Sequence, residues 1–196
     1  MPFVIRHKST MPASLYKKLG EDIEIIDVTS KAPEPWQKLS PFYPHGGIPI
    51  PFSPTHTSQS VEGIWQGLKV FEAYDIDPVK FTNDTMKKLK RTVRKYGRVR
   101  GHRAGVDGEE LLSYRDARWL IYLPAYKYML DHCVQSELEE LRALGEKTTV
   151  VLLDYEKNDK INNTSKPLSH ASLIKRYLDG EWPTLPDDLR RADEAP

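Results

Sequence analysis

Between Lys31 and Thr57 the chain carries seven prolines and the adjacent pair Gly46-Gly47. Proline lacks an amide hydrogen and fixes φ, so no regular helix crosses this stretch, and it reads as a long ordered loop. Loops of this length are uncommon inside compact domains and are often functional. Trp36, Phe42, Tyr43 and Phe52 make it too aromatic for a solvated linker, so it is expected to pack down. The loop divides the chain. Ahead of it, FVIRHK, PASLYKKLG and IEIIDVTS read as strand, helix, strand. Behind it, helical patterns lead to TTVVLLD, a nearly continuous apolar run typical of a strand covered on both faces. The expected fold is α+β and helix-rich: a strand-helix-strand extension over residues 1–38, a principal domain over 39–182 and a loosely held tail over 183–196.

A length of 196 residues with 39% hydrophobic content suits one globular domain with a sizeable core. The formal net charge of +1 gives no whole-protein argument for binding a polyanion. The single cysteine, Cys133, rules out an internal disulfide and thiolate-cluster zinc sites, and it reads as a buried helical thiol. No apolar run approaches the roughly 20 residues that span a bilayer, and MPFVIRHKST lacks a signal-peptide core. These features predict a cytoplasmic protein without a membrane partner.

The segment SQSVEGIWQGLKVFEA, residues 58–73, predicts a helix over 59–74. At about 100° per residue, Glu62, Gln66 and Lys69 fall within roughly 60° of each other beside the apolar arc of Val61, Ile64, Trp65, Leu68 and Phe71. Such a stripe is either an ordinary solvated face or a set of functional groups beside a core. Gly63 and Gly67 weaken a helix by roughly 1 kcal/mol each, so a ligand or another backbone is expected to approach closely there. A second helix is expected from Thr82 or Asn83 through Tyr96, with Met86, Leu89, Val93 and Tyr96 inward. Seven Lys or Arg residues lie between Lys87 and Arg98, followed by Arg100, His102 and Arg103. They form a solvated cationic face or a phosphate-contacting patch. Residues 109–144 predict two further helices, with Pro124 dividing the first and Gly145 stopping the second. SHASLIKRYLDG predicts a last helix.

Nucleotide-binding glycine motifs, the zinc-protease HExxH, paired cysteines and the GxSxG nucleophile motif are all absent. His45, His56, His102, His132 and His170 lack ligand spacing, so neither a metal nor a cofactor is expected. The remaining inventory of carboxylates, amides and aromatics suits glycosidic-bond chemistry, in which a carboxylate stabilises an oxocarbenium-like transition state or activates water.

LSPFYPHGG is similar to the FSNFYP loop of the NADAR domain proteins typified by the YbiA-like N-glycosidases. SQSVEGIWQGLKVF resembles that family's SxExxxQxxK helix through Ser60, Glu62, Gln66 and Lys69. The segment from Leu120 to Asp159 resembles the part of the family in which a last short helix leads to a strand ending in an acidic residue, which places Gly145, Asp154 and Asp159. The family's WG after the second acidic residue is replaced here by KINNTSKPLSH. The resemblance implies an N-glycosidase acting on an ADP-ribose-like or phosphorylated riboside substrate, free or carried on nucleic acid. Glu62 would be the catalytic carboxylate, its ionised form favoured by the helix macrodipole, which suits an oxocarbenium stabiliser or a base and argues against a general acid. Asp154 or Asp159 would be the second carboxylate, with Lys69 meeting a phosphate or that carboxylate. Trp36, Tyr43 and Trp65 are candidate stacking partners, and Phe42 and Gln66 are further candidate substrate contacts. His45 with Gly46, and Arg98, Arg100 and Arg103, are candidate phosphate contacts. The alternatives are a non-catalytic nucleotide- or nucleic-acid-binding module built on the basic 87–103 region, and a structural domain whose polar stripe is merely solvated.

Overall fold

The run TTVVLLD is the centre of the molecule. The computed structural model describes residues 3–190. In it, β8 (Thr149–Asp154) lies between β1 (Phe3–His7) and β2 (Ile23–Asp27), parallel to both. Alternate residues of β8 serve opposite faces, as strand geometry requires. Val151 and Leu153 pack with Leu15 of α1 (Pro12–Leu19), while Val150 and Leu152 face the main core with Phe3 and Ile26. That two-sided burial is why the run carries no polar residue between Thr149 and Asp154. The expected strand-helix-strand is present, but the boundary at residue 38 does not divide the sheet. The central strand comes from the second segment and both its neighbours from the first.

The main core face is covered by α5 (Leu123–His132), α6 (Gln135–Lys147) and α7 (His170–Leu178). The protein is therefore α+β. The proline-rich stretch is less irregular than expected. Its second half forms the antiparallel pair β3 (Ile48–Ile50) and β4 (Ser53–Ser58), with Pro49 tolerated because β3 has a single strand partner. Trp36 and Phe42 are half-buried, but Phe52 remains exposed.

Three helical expectations need correction. Helix α2 spans Val61–Gly67, not 59–74, and the chain continues as β5 (Lys69–Phe71). It opens on Ser60, whose hydroxyl accepts from the Gly63 amide at 3.0 Å. It closes where the Gly67 carbonyl accepts from the Asp77 amide at 2.8 Å. The expected helix over 82–96 reduces to one turn, α3 (Val93–Tyr96). Met86 and Lys88 have positive φ, Val93 is 62% exposed, and Arg91 occupies a buried position that a helical core face would give to an apolar residue. Gly145 does not stop α6, which runs on to Lys147; it lets the Phe3 ring lie close against the helix.

After α3 the chain builds β6 (Val99–Arg103) and β7 (Leu111–Leu112), which complete an antiparallel sheet with β5. Ser113 caps α4 (Tyr114–Ala117), and a π-helical turn over Arg118–Tyr122 delivers the chain to α5. Pro124 sits in the first turn of α5, directly after the π-helical turn, and does not break the helical run. The tail is partly packed: Leu185 and Leu189 reach the core, and Asp188 pairs with Arg115 at 2.8 Å. Residues 191–196 lie outside the described residues. No described helix is long and apolar enough to cross a membrane.

Candidate active site

Beyond the carboxyl ends of the three parallel strands lies a cavity of about 390 Å³. Ligands in open parallel sheets bind at this end, and the size falls within the roughly 300–1,000 Å³ of small-molecule sites. Its floor is α2. All seven residues of this helix are buried, so the polar stripe does not face solvent. Glu62 is 7% exposed, Gln66 5% and Lys69 8%. The proline-rich loop joins the site through the Pro41 carbonyl, which accepts from the Glu62 amide at 2.8 Å and brings Ser40, Pro41 and Phe42 to the wall.

The three polar groups form a chain. Gln66 donates to the Glu62 carboxylate at 2.9 Å and accepts from the Lys69 ammonium at 3.3 Å. The same amide oxygen accepts from the backbone of Arg91 at 2.9 Å, so the orientation of Gln66 is set from outside the cavity. The Arg91 guanidinium donates to the carbonyls of Gln66, Lys69 and Asp75, which staples the 80s loop to α2 and β5. Gly63 and Gly67 do admit a close neighbour, and it is protein. Added β-carbons would stand 2.6 Å from the Lys80 carbonyl oxygen and 2.1 Å from the Phe81 ring.

Burial decides the electrostatics. It pushes the Glu62 carboxyl up, against the opposing pull of Gln66, Lys69 and Lys90. The expected pull of the macrodipole toward the ionised form is therefore outweighed by burial. A dipole contribution of about 0.3–1 kcal/mol is smaller than the several kcal/mol that desolvating a carboxylate costs. Burial lowers Lys69 to about 8; Glu62 opposes this, and the charges of Arg91 and Lys90 add to it. Trp65 is the central wall. Its ring lies 3.9 Å from His102 and meets Tyr114 and Tyr122 edge-on at 5.3 and 5.6 Å. His102 is fully buried and held well below its usual range by desolvation, with the Lys69 charge adding to it.

Asp154 closes the end of β8. Its Oδ1 accepts from the Tyr155 amide at 2.7 Å, and Oδ2 accepts from the Ser169 hydroxyl at 2.8 Å and the Ala171 amide at 3.3 Å. His170 Nδ1 stands 3.2 Å from the same Oδ2, while its Nε2 is 2.8 Å from the Val28 carbonyl. A carbonyl only accepts, so Nε2 carries a hydrogen, and the Asp154 contact is attractive only with a second proton between the two groups. Asp154 thus both lines the cavity and caps α7.

A model of a family of unknown function, DUF6939, matches residues 7–174. The chain belongs to this family. No curated protein and no solved structure matches it. The matched span contains every residue that lines the cavity, from Thr29 to His170.

Within this DUF6939 domain the structure brings together Glu62, Gln66, Lys69, Trp65, Phe42 and Asp154. The other predicted site residues lie elsewhere. Asp159 is exposed. Tyr43 and His45 pack on each other outside the cavity, with His45 bonded to the Lys38 carbonyl at 2.9 Å. The Gly46 amide is taken by the Gln59 carbonyl at 3.0 Å, so the glycine pair makes a turn. Arg98 and Arg100 are exposed on the far run, and Arg103 pairs with Asp75 at 2.8 Å. Tyr114, Arg118, Tyr122 and His170 line the cavity without having been predicted, and Lys90 reaches it from the basic 87–103 region. Of these, Arg118 carries the clearest missed signal, a charge inside the apolar pattern of a buried helical segment. It is 2% exposed and donates to the carbonyls of Ile161, Asn163 and Lys166, which fastens the loop between β8 and α7 across the cavity. No group of three metal-capable side chains occurs among the described residues.

Proposed function

We propose that the protein is a hydrolase that cleaves the N-glycosidic bond of a phosphorylated or ADP-ribose-like riboside. The observation that carries this reading is Glu62, a buried carboxyl in an aromatic-walled cavity, oriented by a fixed amide and accompanied by a buried lysine. Trp65, Phe42, Tyr114 and Tyr122 offer surfaces for a planar leaving base. A carboxyl raised by burial is matched to taking a proton from water and passing it on. In this mechanism water oxygen bonds to the anomeric carbon as the C–N electrons return to the base. The proton lost by water reaches the base by way of Glu62. Asp154, with both oxygens engaged, positions His170 and the α7 terminus. The NADAR resemblance supports the reading, since Glu62, Gln66 and Lys69 are the residues that carry it. Its single unpaired thiol, Cys133, is consistent with a cytoplasmic enzyme.

Mass-spectrometric analysis of products, from a panel of nucleotides, NAD, ADP-ribose and ADP-ribosylated DNA and RNA, tests the proposal. Release of a free base by the wild type and not by Glu62→Gln is the expected outcome. No turnover by either protein, with ligand retained by both, would sink it. That result favours a second reading, a binding module. Lys87, Lys88, Lys90, Arg94, Lys95, Arg98 and Arg100 are all exposed and form none of the ion pairs found among the described residues. Binding to nucleic acid that weakens steeply with salt would support it.

A further inference from the structure

We infer that Lys69 and Lys90 form an anion subsite at one side of the cavity and that its ligand is a phosphate monoester. The inference rests on the cavity being the substrate site, and it names the group of the substrate held there.

Lys69 is the first residue of β5, so its side chain leaves the end of α2 and turns back along the buried stripe. An ammonium has three donors. Here one hydrogen bond is made, at 3.3 Å, to an amide oxygen that already accepts from the Arg91 backbone. No carboxylate lies within 4.0 Å of Lys69 Nζ among the described residues, and the ring of Trp65, centred 5.7 Å away, is its aromatic neighbour. A buried cation so thinly solvated is costly without an anion. Lys90 lines the same cavity, with its ammonium 5.6 Å from the centre of the Phe42 ring and no acid paired to it among the described residues. Three charges act on Lys69: Glu62 from α2 attracts it, and Arg91 and Lys90 from the stretch ahead of α3 repel it, while His102 from β6, lowered well below its usual range, lies nearby. Two ammonium groups facing one space suit a dianion better than a monoanion. A terminal monoester carries close to two charges at neutral pH, whereas the diester of a nucleic-acid backbone carries one. Binding of the dianion would draw a proton onto Lys69.

Calorimetric titration with inorganic phosphate, ribose, ribose 5-phosphate and its methyl diester tests the subsite. Inorganic phosphate should bind, and ribose 5-phosphate should bind at least about tenfold more tightly than ribose or the diester. Lys90→Met should remove most of that advantage and Lys90→Arg keep it. At pH 8, heats measured in buffers of different ionisation enthalpy should show proton uptake with the wild type and none with Lys69→Met. Equal binding of ribose and ribose 5-phosphate overturns the inference. So does a diester bound as tightly as the monoester, or a preference that survives Lys90→Met. Loss of the preference in Arg118→Lys alone would move the phosphate to the opposite wall and also overturn it. Discrimination without turnover leaves the subsite standing while the glycosidase reading fails, and turnover without discrimination does the reverse.

Discussion

Replacing Lys69 with methionine should make the protein more stable at neutral pH. Lys69 titrates from about 8 in the folded protein against an ordinary 10.5, chiefly because it is buried. At 1.36 kcal/mol per unit, holding this ammonium charged in the fold costs about 3 kcal/mol. The sign follows from proton counts. Between pH 8 and 10.5 the unfolded chain holds a proton that the folded protein has released, so wild-type stability rises with pH across that window. Below pH 8 the whole cost is present. Methionine has a similar length, keeps the contact with Trp65 and carries no charge, so Lys69→Met should gain up to about 3 kcal/mol at pH 7. The difference between variant and wild type should shrink steadily from pH 8 and vanish near 10.5. Urea denaturation of both proteins at four pH values between 7 and 10.5 measures it. A variant less stable than wild type at pH 7, or a difference that does not change with pH, would refute the argument that burial dominates the Lys69 environment.

Glu62→Gln should abolish turnover and stabilise the fold at neutral pH. A carboxyl raised by burial loses stability as pH climbs through its folded value, and calorimetric melting at pH 5 and 7 should show the variant's advantage growing with pH. Gly67→Ala drives a methyl into the buried Phe81 ring, 2.1 Å away, and should cost about 1–3 kcal/mol in denaturant titrations. Arg118→Met leaves the carbonyls of Ile161, Asn163 and Lys166 without their donor; a loss of about 2–4 kcal/mol, with faster hydrogen exchange over residues 155–168, is expected. Removing residues 1–28 takes away both neighbours of β8, so the remainder should show no cooperative unfolding transition. A folded truncated protein would show that the sheet is dispensable.

The elements that could be read from sequence are those whose cause is local. β8 announces itself because two-sided burial leaves no room for polar residues, and Ser60 and Ser169 cap α2 and α7 through their own third residues. What pairs with β8 could not be read: nothing in FVIRHK or IEIIDVTS records that a strand about 120 residues later will separate them. The basic stretch misled for a different reason. Its spacing resembles a helix, yet Arg91 satisfies three carbonyls of α2, β5 and the turn beyond, and that tertiary bond outweighs a helical preference weakened by neighbouring like charges. In the site, Glu62 and Gln66 were legible because they share one helical stripe, and Lys69 because it follows just past the helix end, as the first residue of β5. Arg118, Tyr122 and His170 reach the cavity from elements whose placement depends on the whole fold.

The composition of the cavity is costly for a domain of this size. Glu62, Lys69, Arg118 and Asp154 are all less than a tenth exposed around one space. A core built for stability alone would place apolar residues at such positions, where replacing buried ion pairs is often neutral or stabilising. Part of the cost is met inside the protein, by the four contacts on Asp154 and the three carbonyls on Arg118. Glu62 and Lys69 are different, because among the described residues their side chains hydrogen-bond to one shared neutral amide, and both line the cavity. The charges of Asp154 and Arg118 are met within the fold, whereas under the proposed function those of Glu62 and Lys69 are kept for a substrate. The variants therefore divide into two groups: removing Arg118 should weaken the fold, while neutralising Glu62 or Lys69 should strengthen it and weaken function.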